Sequence, residues 1–493
     1  MKTATILGID CGNSSIRVVV GTVTDISVDL DVILQSPNFM TRIGGWFVWD
    51  SVYIYREILR GISLAVDKYQ KIDSIGVATW GVDFGLFTPE GGLLNDVLAY
   101  RNDTGAMYFD QLSKVDKKKH FELTGILSDK INSAYLLQGI RDQLPTVYNN
   151  ASRLLMISDI LNYYLTGTMV NEPSMLSTTQ LYDSASKSIS KDICQMMGLR
   201  PDLIGDVSIH GEMIGYLRQE IMEELQLTEP IPVVSVPSHD TASAVLAVPA
   251  NRNEKFAFIS SGTWSLLGME LESALINSSV FDAGFTNEVG GFGTITLLQN
   301  GMGLFLLQQL KREYELELRR SCTWDEFYSM RDRIHANQAM NLFNVNAREF
   351  FNPVSMLDAI LTDITKHGVN IPSDKKWQIA IEAALQSLAC SYAVGVEQLE
   401  KATGNNIDKI YIVGGGTRDK DLNQLTANRT GRSVLLGSAE STSLGNIIAQ
   451  TSYLNGYSVE QMRETIRRSF PPEEVSVEPV TVDAVNRYRS LIE

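Results

Sequence analysis

The chain has 493 residues, of which 44% are hydrophobic and 20% charged, and its formal net charge is −16. This length favours two domains of about 250 residues over a single core, and the composition is that of a soluble globular protein. The acidic balance argues against nucleic-acid binding, because such proteins present clustered basic surface and the one short basic run, Lys117-Lys118-Lys119, is interpreted as a solvated helix face.

No stretch approaches the roughly 18 uninterrupted apolar residues of a membrane span, and the first predicted strand leaves no room for a secretory signal. The sequence therefore predicts a cytoplasmic protein without a membrane partner. Its cysteines form no C-x-x-C pair and are expected to be free thiols: Cys11, Cys194, Cys322 and Cys390.

The first half of the chain opens on alternating strands. Apolar runs predict strands at residues 5–9, 16–22 and 28–34, followed by a helix at 50–69 and a strand at 74–78. This order is typical of one half of an actin-like, ribonuclease-H-like α/β fold, in which helices flank a mixed sheet. The segment that follows, 101–227, is predicted to be mostly helical and to form an insertion that could shape a substrate pocket.

The pattern restarts after the polar turn at residues 249–254, which predicts domains at 1–250 and 251–493. The later expected elements are strands at 233–236, 256–259, 266–269 and 409–413 and helices at 377–403 and 420–430. A strand, the turn Gly414-Gly415-Gly416 and a helix would let a nucleotide lie close to the backbone, although many α/β connections share this pattern.

Two glycine-centred loops stand near the start of the two halves. Each lies between two strand-like runs, where glycine lets backbone N–H groups converge and neighbouring hydroxyls add donors for an anion. Neither has the P-loop or the dinucleotide-binding spacing. The pair predicts two related half-domains facing each other across a phosphate: Asp10-Cys11-Gly12-Asn13-Ser14-Ser15-Ile16-Arg17 and Ser260-Ser261-Gly262-Thr263-Trp264-Ser265.

Asp10 ends the first strand immediately before its glycine turn. A carboxylate there could hold Mg²⁺, directly or through water, against nucleotide phosphates, since Mg²⁺ takes few protein ligands. The alternative is that Asp10 is an Asx-type turn residue. Arg17 could likewise reach a phosphate or simply pair with a surface acid.

The segment His239-Asp240 is the best acid–base candidate. An Asp that follows a strand and begins a helix would accept the proton of an attacking hydroxyl in phosphoryl transfer. An ordinary Asp, with a pKa of about 3.9, is ionised at neutral pH, so this role needs no unusual tuning. The alternative is that Asp240 only caps the helix.

Aromatic and polar groups of the kind that sugar sites use occur at Trp80, Asp83 and residues 100–103, although Trp80 could equally be a core residue. The histidines form no cluster with metal-ligand spacing, which argues against a transition-metal site. They are His120, His210, His239, His335 and His367.

Together these motifs resemble the FGGY family of carbohydrate kinases, most closely its branch that phosphorylates L-rhamnulose. They keep the family's order over nearly the whole chain. The motifs are the Asp10 loop with Arg17, Thr79-Trp80-Gly81-Val82-Asp83-Phe84, Thr178-Thr179-Gln180-Leu181, Ser238-His239-Asp240-Thr241-Ala242-Ser243-Ala244, the Gly262 loop, Thr286-Asn287-Glu288, Asn300-Gly301-Met302-Gly303 and Val413-Gly414-Gly415-Gly416.

The resemblance implies a two-domain actin-like ATPase fold with a duplicated core, and ATP with Mg²⁺ and a ketose in the interdomain cleft. Asp240 would be the base that activates the 1-hydroxyl of the sugar. The implied nucleotide-binding residues are Asn13, Ser14, Ser15, Ile16, Arg17, Thr263, Gln308 and Gly415. The implied sugar contacts are Gly81, His239, Asp240, Thr241 and Asn300, with Trp80 as the candidate aromatic wall and Asp10 as the metal ligand.

Three departures from that branch leave phosphoryl transfer intact, and the first two bear on the sugar because they are expected to belong to its pocket, whereas the third lies in the helix on the adenosine side. Asn102 stands where Asp is frequent, residues 131–137 lack the usual Leu-Tyr-Gln-Leu motif, and Asn428 replaces a frequent Asp. L-Fuculose or xylulose is therefore an alternative substrate. From other classes, an actin-like or chaperone-type ATPase and an inactive sugar sensor remain as rivals.

Overall fold

The computed structural model describes residues 3–251, 254–331, 341–366, 371–479 and 483–492. Its backbone divides into two compact units. Unit 1 comprises residues 1–254, 270–298 and 440–471, and unit 2 comprises 255–269, 299–439 and 472–493. Unit 1 thus includes two segments from the second half of the sequence, and the division at residue 250 stays a prediction.

The strands occur mainly at the start of each half of the chain. In order they are β1 (Ala4–Cys11), β2 (Ser15–Val23), β3 (Val28–Pro37), β4 (Met40–Ile43), β5 (Trp46–Trp49), β6 (Ser74–Thr79), β7 (Phe84–Phe87), β8 (Val97–Leu98), β9 (Arg153–Met156), β10 (Tyr182–Asp183), β11 (Ser188–Ile189), β12 (Met213–Tyr216), β13 (Pro232–Val234), β14 (Phe256–Ser261), β15 (Trp264–Leu271), β16 (Thr286–Val289), β17 (Ile295–Met302), β18 (Lys409–Val413), β19 (Ser433–Leu436) and β20 (Glu473–Val475).

The helices lie between and after these strands, with short 3-10 turns between some of them. In order they are α1 (Ser51–Tyr69), α2 (Asp103–Phe109), α3 (Lys114–Thr124), α4 (Ser133–Gln143), α5 (Pro145–Asn150), α6 (Ile157–Thr166), α7 (Pro173–Ser177), α8 (Lys191–Met197), α9 (Gln219–Glu224), α10 (Asp240–Leu246), α11 (Ser278–Asp282), α12 (Phe305–Leu318), α13 (Trp324–Ser329), α14 (Met356–Lys366), α15 (Lys376–Thr403), α16 (Lys420–Thr430), α17 (Ser441–Ala449), α18 (Thr451–Asn455), α19 (Val459–Ser469) and α20 (Ala484–Ile492).

The main sheet of unit 1 has the strand order β12-β13-β6-β1-β2-β3. Strands β1, β2 and β3 form an antiparallel meander, whereas β6 runs parallel to β1 and β13 parallel to β6. Helix α1 covers one face with Ile54, Ile58 and Ile62, which are fully buried at helical spacing. The predicted strands, helix and order of the first half are confirmed.

Glycines leave part of the other face of this sheet without side chains. A Cβ atom at Gly8 or Gly21 would lie 2.8 or 2.3 Å from Ile447 of α17, so this helix packs directly on the strands. The amide of Asn446 donates hydrogen bonds to the carbonyl oxygens of Ile9 (3.0 Å) and Gly76 (3.1 Å). A helix far along the sequence is therefore fixed to the centre of the unit 1 sheet.

Unit 2 repeats the arrangement of β1, β2 and β6. Its sheet contains the order β15-β14-β18-β19-β20, with β15 antiparallel and β18 parallel to β14. The predicted strand at 409–413 and helix at 420–430 agree with β18 and α16. The α/β class and the duplicated core predicted from the sequence are confirmed.

The long helix of unit 2 ends as its sequence predicts, with Gly404 in the left-handed region at φ 69°. Within the described residues, the segment Ser373–Thr403 is the one helix long and apolar enough to cross a membrane, and 83% of its most apolar window is buried inside the structure. Core helices pass the same test, so this is weak evidence for a span.

The closest helix contact of unit 1 gives a test of this packing. A Cβ atom at Gly445 would lie 1.8 Å from the backbone oxygen of Ser243, which no side-chain rotation can relieve. We expect Gly445→Ala to lower the unfolding free energy by about 1–3 kcal/mol, seen as a lower thermal midpoint. Gly92→Ala, whose Cβ would meet Thr88 at an ordinary 3.5 Å, should leave the midpoint nearly unchanged; equal effects of both variants would contradict the packing.

Candidate functional site

The first glycine loop is a tight hairpin turn between β1 and β2. The Gly12 amide donates to the Ser15 carbonyl oxygen at 2.8 Å, and the Asn38 side chain donates to the Gly12 carbonyl oxygen at 2.8 Å. Asn13 and Ser14 are exposed at the tip, whereas Ile16 is buried. The tip therefore offers backbone and hydroxyl donors on a braced turn.

Asp10 lies inside β1, where its backbone is opposite that of Arg17 in the antiparallel strand β2, and is not a turn residue. The Asx-turn alternative is therefore wrong. Asp10 is 9% exposed, and the Ser443 hydroxyl donates to its Oδ2 atom at 3.2 Å. Burial raises the pKa of Asp10 to about 7, with Arg17 opposing the rise and Asp240 adding to it.

Arg17 is paired in this structure. Its guanidinium lies 3.0 Å from a carboxylate oxygen of Glu440, which directly precedes α17. About a third of the arginine side chain is exposed. The expected surface acid is thus present, and the phosphate role of Arg17 stays a prediction.

Asp240 is the first residue of α10, and its side chain is 37% exposed. The N-cap position belongs to His239, so the interpretation of Asp240 as a cap is wrong. The Thr241 amide and hydroxyl both donate to Oδ1 of Asp240, at 2.7 and 3.2 Å. The carboxylate therefore stands at a helix start, partly open to solvent, as a general base requires.

His239 lies between two carboxylates. Its Nδ1 atom is 3.1 Å from Glu288 of β16, and its Nε2 atom is 3.4 Å from Oδ1 of Asp240. Burial alone would lower the pKa of this imidazole, but Glu288, Asp240 and Glu172 together raise it to about 9. The neighbouring carboxylates therefore favour the charged form of His239.

Gly81 and Val82 form a turn that faces this histidine. A Cβ atom at Gly81 would lie 3.0 Å from Thr178 and 3.1 Å from Nε2 of His239. Val82 has a positive φ of 68°, and its amide donates to the Thr178 hydroxyl at 3.0 Å. The Ser133 hydroxyl donates to the Val82 carbonyl oxygen at 2.5 Å. Segment 131–137, which departs from the usual family sequence, therefore supports the turn that contains the predicted sugar contact Gly81.

Trp80 is 3% exposed, and its ring centroid lies 4.2 Å from that of Trp49. Both indoles donate to Oδ2 of Asp83, at 2.8 and 2.6 Å, while the Tyr100 amide donates to Oδ1 at 2.7 Å. Burial raises the pKa of Asp83 to about 7 against the lowering effect of these hydrogen bonds. Trp80 is thus held by its indole edge, and its contact with a sugar stays a prediction.

The departure at Asn102 has a structural reason. Its amide nitrogen donates to the carbonyl oxygens of Phe47 (2.7 Å) and Ala99 (2.8 Å), and its Oδ1 accepts from the Phe47 amide. An ionised Asp could not donate these hydrogen bonds. Asn102 therefore ties the start of α2 to β5.

One of the predicted residues of unit 2, Thr263, lies on the glycine loop of that unit. Thr263 is exposed in the turn between β14 and β15, and the amides of Leu304 and Phe305 donate to the carbonyl oxygens of Gly262 and Thr263. A Cβ atom at Gly303 would lie 2.7 Å from the Gly262 oxygen, so this approach requires glycine. The start of α12 therefore braces the loop.

The other residues predicted to bind nucleotide or sugar in unit 2 are at the surface. Gly415 is exposed, and a Cβ atom there would meet nothing within 4 Å, whereas one at Gly416 would lie 2.0 Å from the Ser261 hydroxyl. Gln308 of α12 and Asn300 of β17 are exposed as well. The binding roles of these residues stay predictions.

Three side chains around the site had no assigned role in the sequence reasoning. Ser443 reaches Asp10, and Glu288 holds His239. Glu172 caps α7 and contacts His210, and these hydrogen bonds lower its pKa although burial acts to raise it. Of these three residues, only Glu288 belongs to a motif that resembles the family, Thr286-Asn287-Glu288. The contacts themselves could not be predicted, because each of the three residues is distant in the chain from the aspartate or histidine it contacts.

The described residues contain no group of three or more His, Cys, Asp or Glu side chains that could hold a metal ion. His335 and His367 lie outside those residues. All four cysteines are buried and free, as expected.

The Asp83 cluster gives a test of how the turn after β6 is held. In Asp83→Asn, either orientation of the amide turns an N–H donor toward another donor, since all three partners of Asp83 donate. We expect a loss of about 1–3 kcal/mol in unfolding free energy and a red-shifted tryptophan emission. Asp183→Asn, half-buried near the surface, is the control; an unchanged midpoint and spectrum in Asp83→Asn would contradict the arrangement.

Comparison with known proteins places both halves of the chain in one family. Residues 5–247 match the N-terminal domain of the FGGY family of carbohydrate kinases, and residues 257–453 match its C-terminal domain. The chain is 34% identical to a protein named rhamnulokinase from Oceanobacillus iheyensis, over 94% of this chain and 96% of that one. It is also 34% identical to a rhamnulokinase from Bacteroides thetaiotaomicron, over 94% of each.

Among solved structures, the fold is similar to that of a ligand-bound xylulose kinase from Lactobacillus acidophilus. The TM-score is 0.79 over 99% of this chain and 96% of that one, at 13% identity, which supports the fold alone. Both family domains match in order, and the relatives align over nearly their whole length. The chain therefore belongs to the FGGY family of carbohydrate kinases.

Proposed function

We propose that this kinase transfers the γ-phosphoryl group of ATP to the 1-hydroxyl of L-rhamnulose or a close 6-deoxyketose. The observation that carries the choice of sugar is the 34% identity over 94% of the chain to proteins named rhamnulokinase. The xylulose kinase likeness is a fold likeness at 13% identity and favours no second sugar. The partly exposed position of Asp240 at the start of α10 supports phosphoryl transfer to a sugar hydroxyl.

Asp240 acts as the general base. The proton of the sugar hydroxyl passes to the carboxylate, the sugar oxygen forms a bond to the γ-phosphorus, and the bond to the bridging oxygen breaks as ADP leaves. Its partly exposed position at the start of α10 lets a substrate hydroxyl approach. His239 and Thr241 contact Asp240, and Gly81 faces His239, which supports the assignment of these three residues to the sugar. Trp80 and Asn300 are assigned to the sugar from the family motifs alone.

The nucleotide is assigned to the two glycine loops and the turn after β18. The residues are Asn13, Ser14, Ser15, Ile16, Arg17, Thr263, Gln308 and Gly415. Asp10 fits a Mg²⁺ ligand, because its buried carboxylate has a raised pKa and receives one side-chain hydrogen bond, from Ser443. Bound Mg²⁺ would offset phosphate charge during transfer.

Two wider assignments belong to the same proposal. The family model boundaries, 5–247 and 257–453, support sequence domains near 1–250 and 251–493. The acidic balance and the buried long helix support a cytoplasmic enzyme whose partners are a ketose and ATP, without nucleic acid or membrane.

The substrate is tested with a coupled ADP-release assay on a panel of ketoses with Mg-ATP. We expect the highest kcat/KM on L-rhamnulose, because relatives of this chain are named rhamnulokinase. Preference for L-fuculose or xylulose would overturn the choice of sugar alone. ATP hydrolysis that is indifferent to sugar would overturn the kinase assignment in favour of an actin-like ATPase, and no turnover at all would favour a sugar sensor.

The base is tested with Asp240→Asn. The amide cannot accept the proton, so we expect kcat to fall by at least about 10²-fold, with an unchanged thermal midpoint because the side chain is 37% exposed. The matched control is Asp202→Asn at an exposed carboxylate paired with Arg200, which should retain wild-type turnover. Near-wild-type turnover of Asp240→Asn would remove it as the base.

A further inference from the structure

A buried chain of charged groups ends on the carboxylate of Asp240. It runs from Glu288 on β16 through the imidazole of His239 to Oδ1 of Asp240, with separations of 3.1 and 3.4 Å. The side chains of Glu288 and His239 are 15% and 11% exposed, whereas that of Asp240 is 37% exposed. The three charged groups thus extend from the buried interior to the solvent-exposed carboxylate of Asp240.

The two oxygens of Asp240 have different surroundings. Oδ1 accepts from the Thr241 amide and hydroxyl and lies beside His239, whereas no donor among the described residues is hydrogen-bonded to Oδ2. A carboxylate held through one oxygen keeps the other for an external donor. The arrangement therefore distinguishes a holding oxygen from a free one.

We propose that Glu288 is a positioning residue for phosphoryl transfer: it holds the imidazole of His239 against Oδ1 of Asp240, which leaves Oδ2 to accept the sugar proton. This inference rests on the proposed role of Asp240 as the base. Glu288 touches no reacting atom in it. Its contribution is to keep one buried imidazole charged and in place.

The surroundings of His239 support this role. Its backbone amide donates to the Ser174 hydroxyl at 3.0 Å, and that hydroxyl donates to Glu172 at 2.6 Å, so the backbone is fixed independently of the ring. The titratable groups facing the imidazole are Glu288 on β16, Asp240 on α10 and Glu172 at the start of α7. Glu288 is the one whose carboxylate contacts Nδ1.

Burial disfavours the imidazolium form of His239, and the charge of Glu288 opposes this effect. A variant without that charge therefore lowers the pKa of His239. In Glu288→Gln the pKa of His239 falls from about 9, so at neutral pH a smaller fraction of the ring is charged. Oδ1 then loses a charged neighbour and the carboxylate is less well aligned. This affects the chemical step more than binding of the sugar.

The experiment combines kinetics and histidine titration in the full-length protein. For wild type, Glu288→Gln and Glu288→Asp, kcat and KM are measured with Mg-ATP and the best ketose from pH 6 to 10. His239 is titrated by NMR of the imidazole nitrogens in the ligand-free protein, assigned by the signal lost in His239→Gln. Glu270→Gln is the matched control, because Glu270 is also 15% exposed and pairs with a buried cation, Arg463.

We expect kcat of Glu288→Gln to fall about 10- to 100-fold at pH 7.5 with a change in KM below about threefold. In wild type kcat should decline as pH rises through about 9, where His239 loses its proton, and in Glu288→Gln this decline should begin at lower pH. Glu288→Asp should recover part of kcat and of the profile. Glu270→Gln should keep the wild-type profile.

Three results would overturn the inference in an active wild-type enzyme. They are an unchanged kcat and pH profile in Glu288→Gln, a raised KM with unchanged kcat, which would indicate direct sugar contact, and an unchanged titration of His239. A wild type that phosphorylates no ketose is a different result. It would overturn the proposed function before any variant is compared, and the inference with it.

Discussion

The contact on which unit 1 depends is the direct packing of α17 on the glycine face of its sheet. Gly8, Gly21 and Gly76 have no Cβ atom, so the helix lies against strand backbone, and a side chain at any of them would overlap Ile447 or Asn446. Apolar contact alone would let the helix slide. The amide of Asn446, which donates to carbonyl oxygens of β1 and β6, fixes its position along the strands.

Several features of the site follow from that position. The first residues of α17 arrive beside the end of β1, where Ser443 donates to Asp10 and the preceding Glu440 pairs with Arg17. One turn later, Gly445 allows close contact with α10, whose first residue is Asp240. A helix from late in the sequence thereby sets the surroundings of both aspartates, and the proximity of Asp240 contributes to the raised pKa of Asp10.

The sequence predicted what local patterns encode. Alternation and helical spacing located the central strands and several helices of both halves, and a strand-then-helix pattern placed Asp240 at a helix start. It did not predict α17 as a partner of β1, because Ser441-Thr442-Ser443-Leu444-Gly445 carries no clear amphipathic period and the contact spans most of the chain. The pairing of Glu288 with His239 was missed for the same reason, and Asp240 as a cap was wrong because His239 occupies that position.

The carboxylates of unit 1 differ in how far protein donors compensate their charge. Asp83 accepts three hydrogen bonds, and Glu172 accepts from the amides and hydroxyl at the start of α7 and contacts His210. Asp240 has two donors and a histidine cation on one oxygen. Asp10 is nearly as buried as Asp83 and Glu172 but receives one side-chain hydrogen bond, from Ser443, besides the favourable charge of Arg17. A buried carboxylate with few donors costs free energy unless a cation or a proton joins it, and this cost is the physical support for the proposal that Mg²⁺ binds at the end of β1.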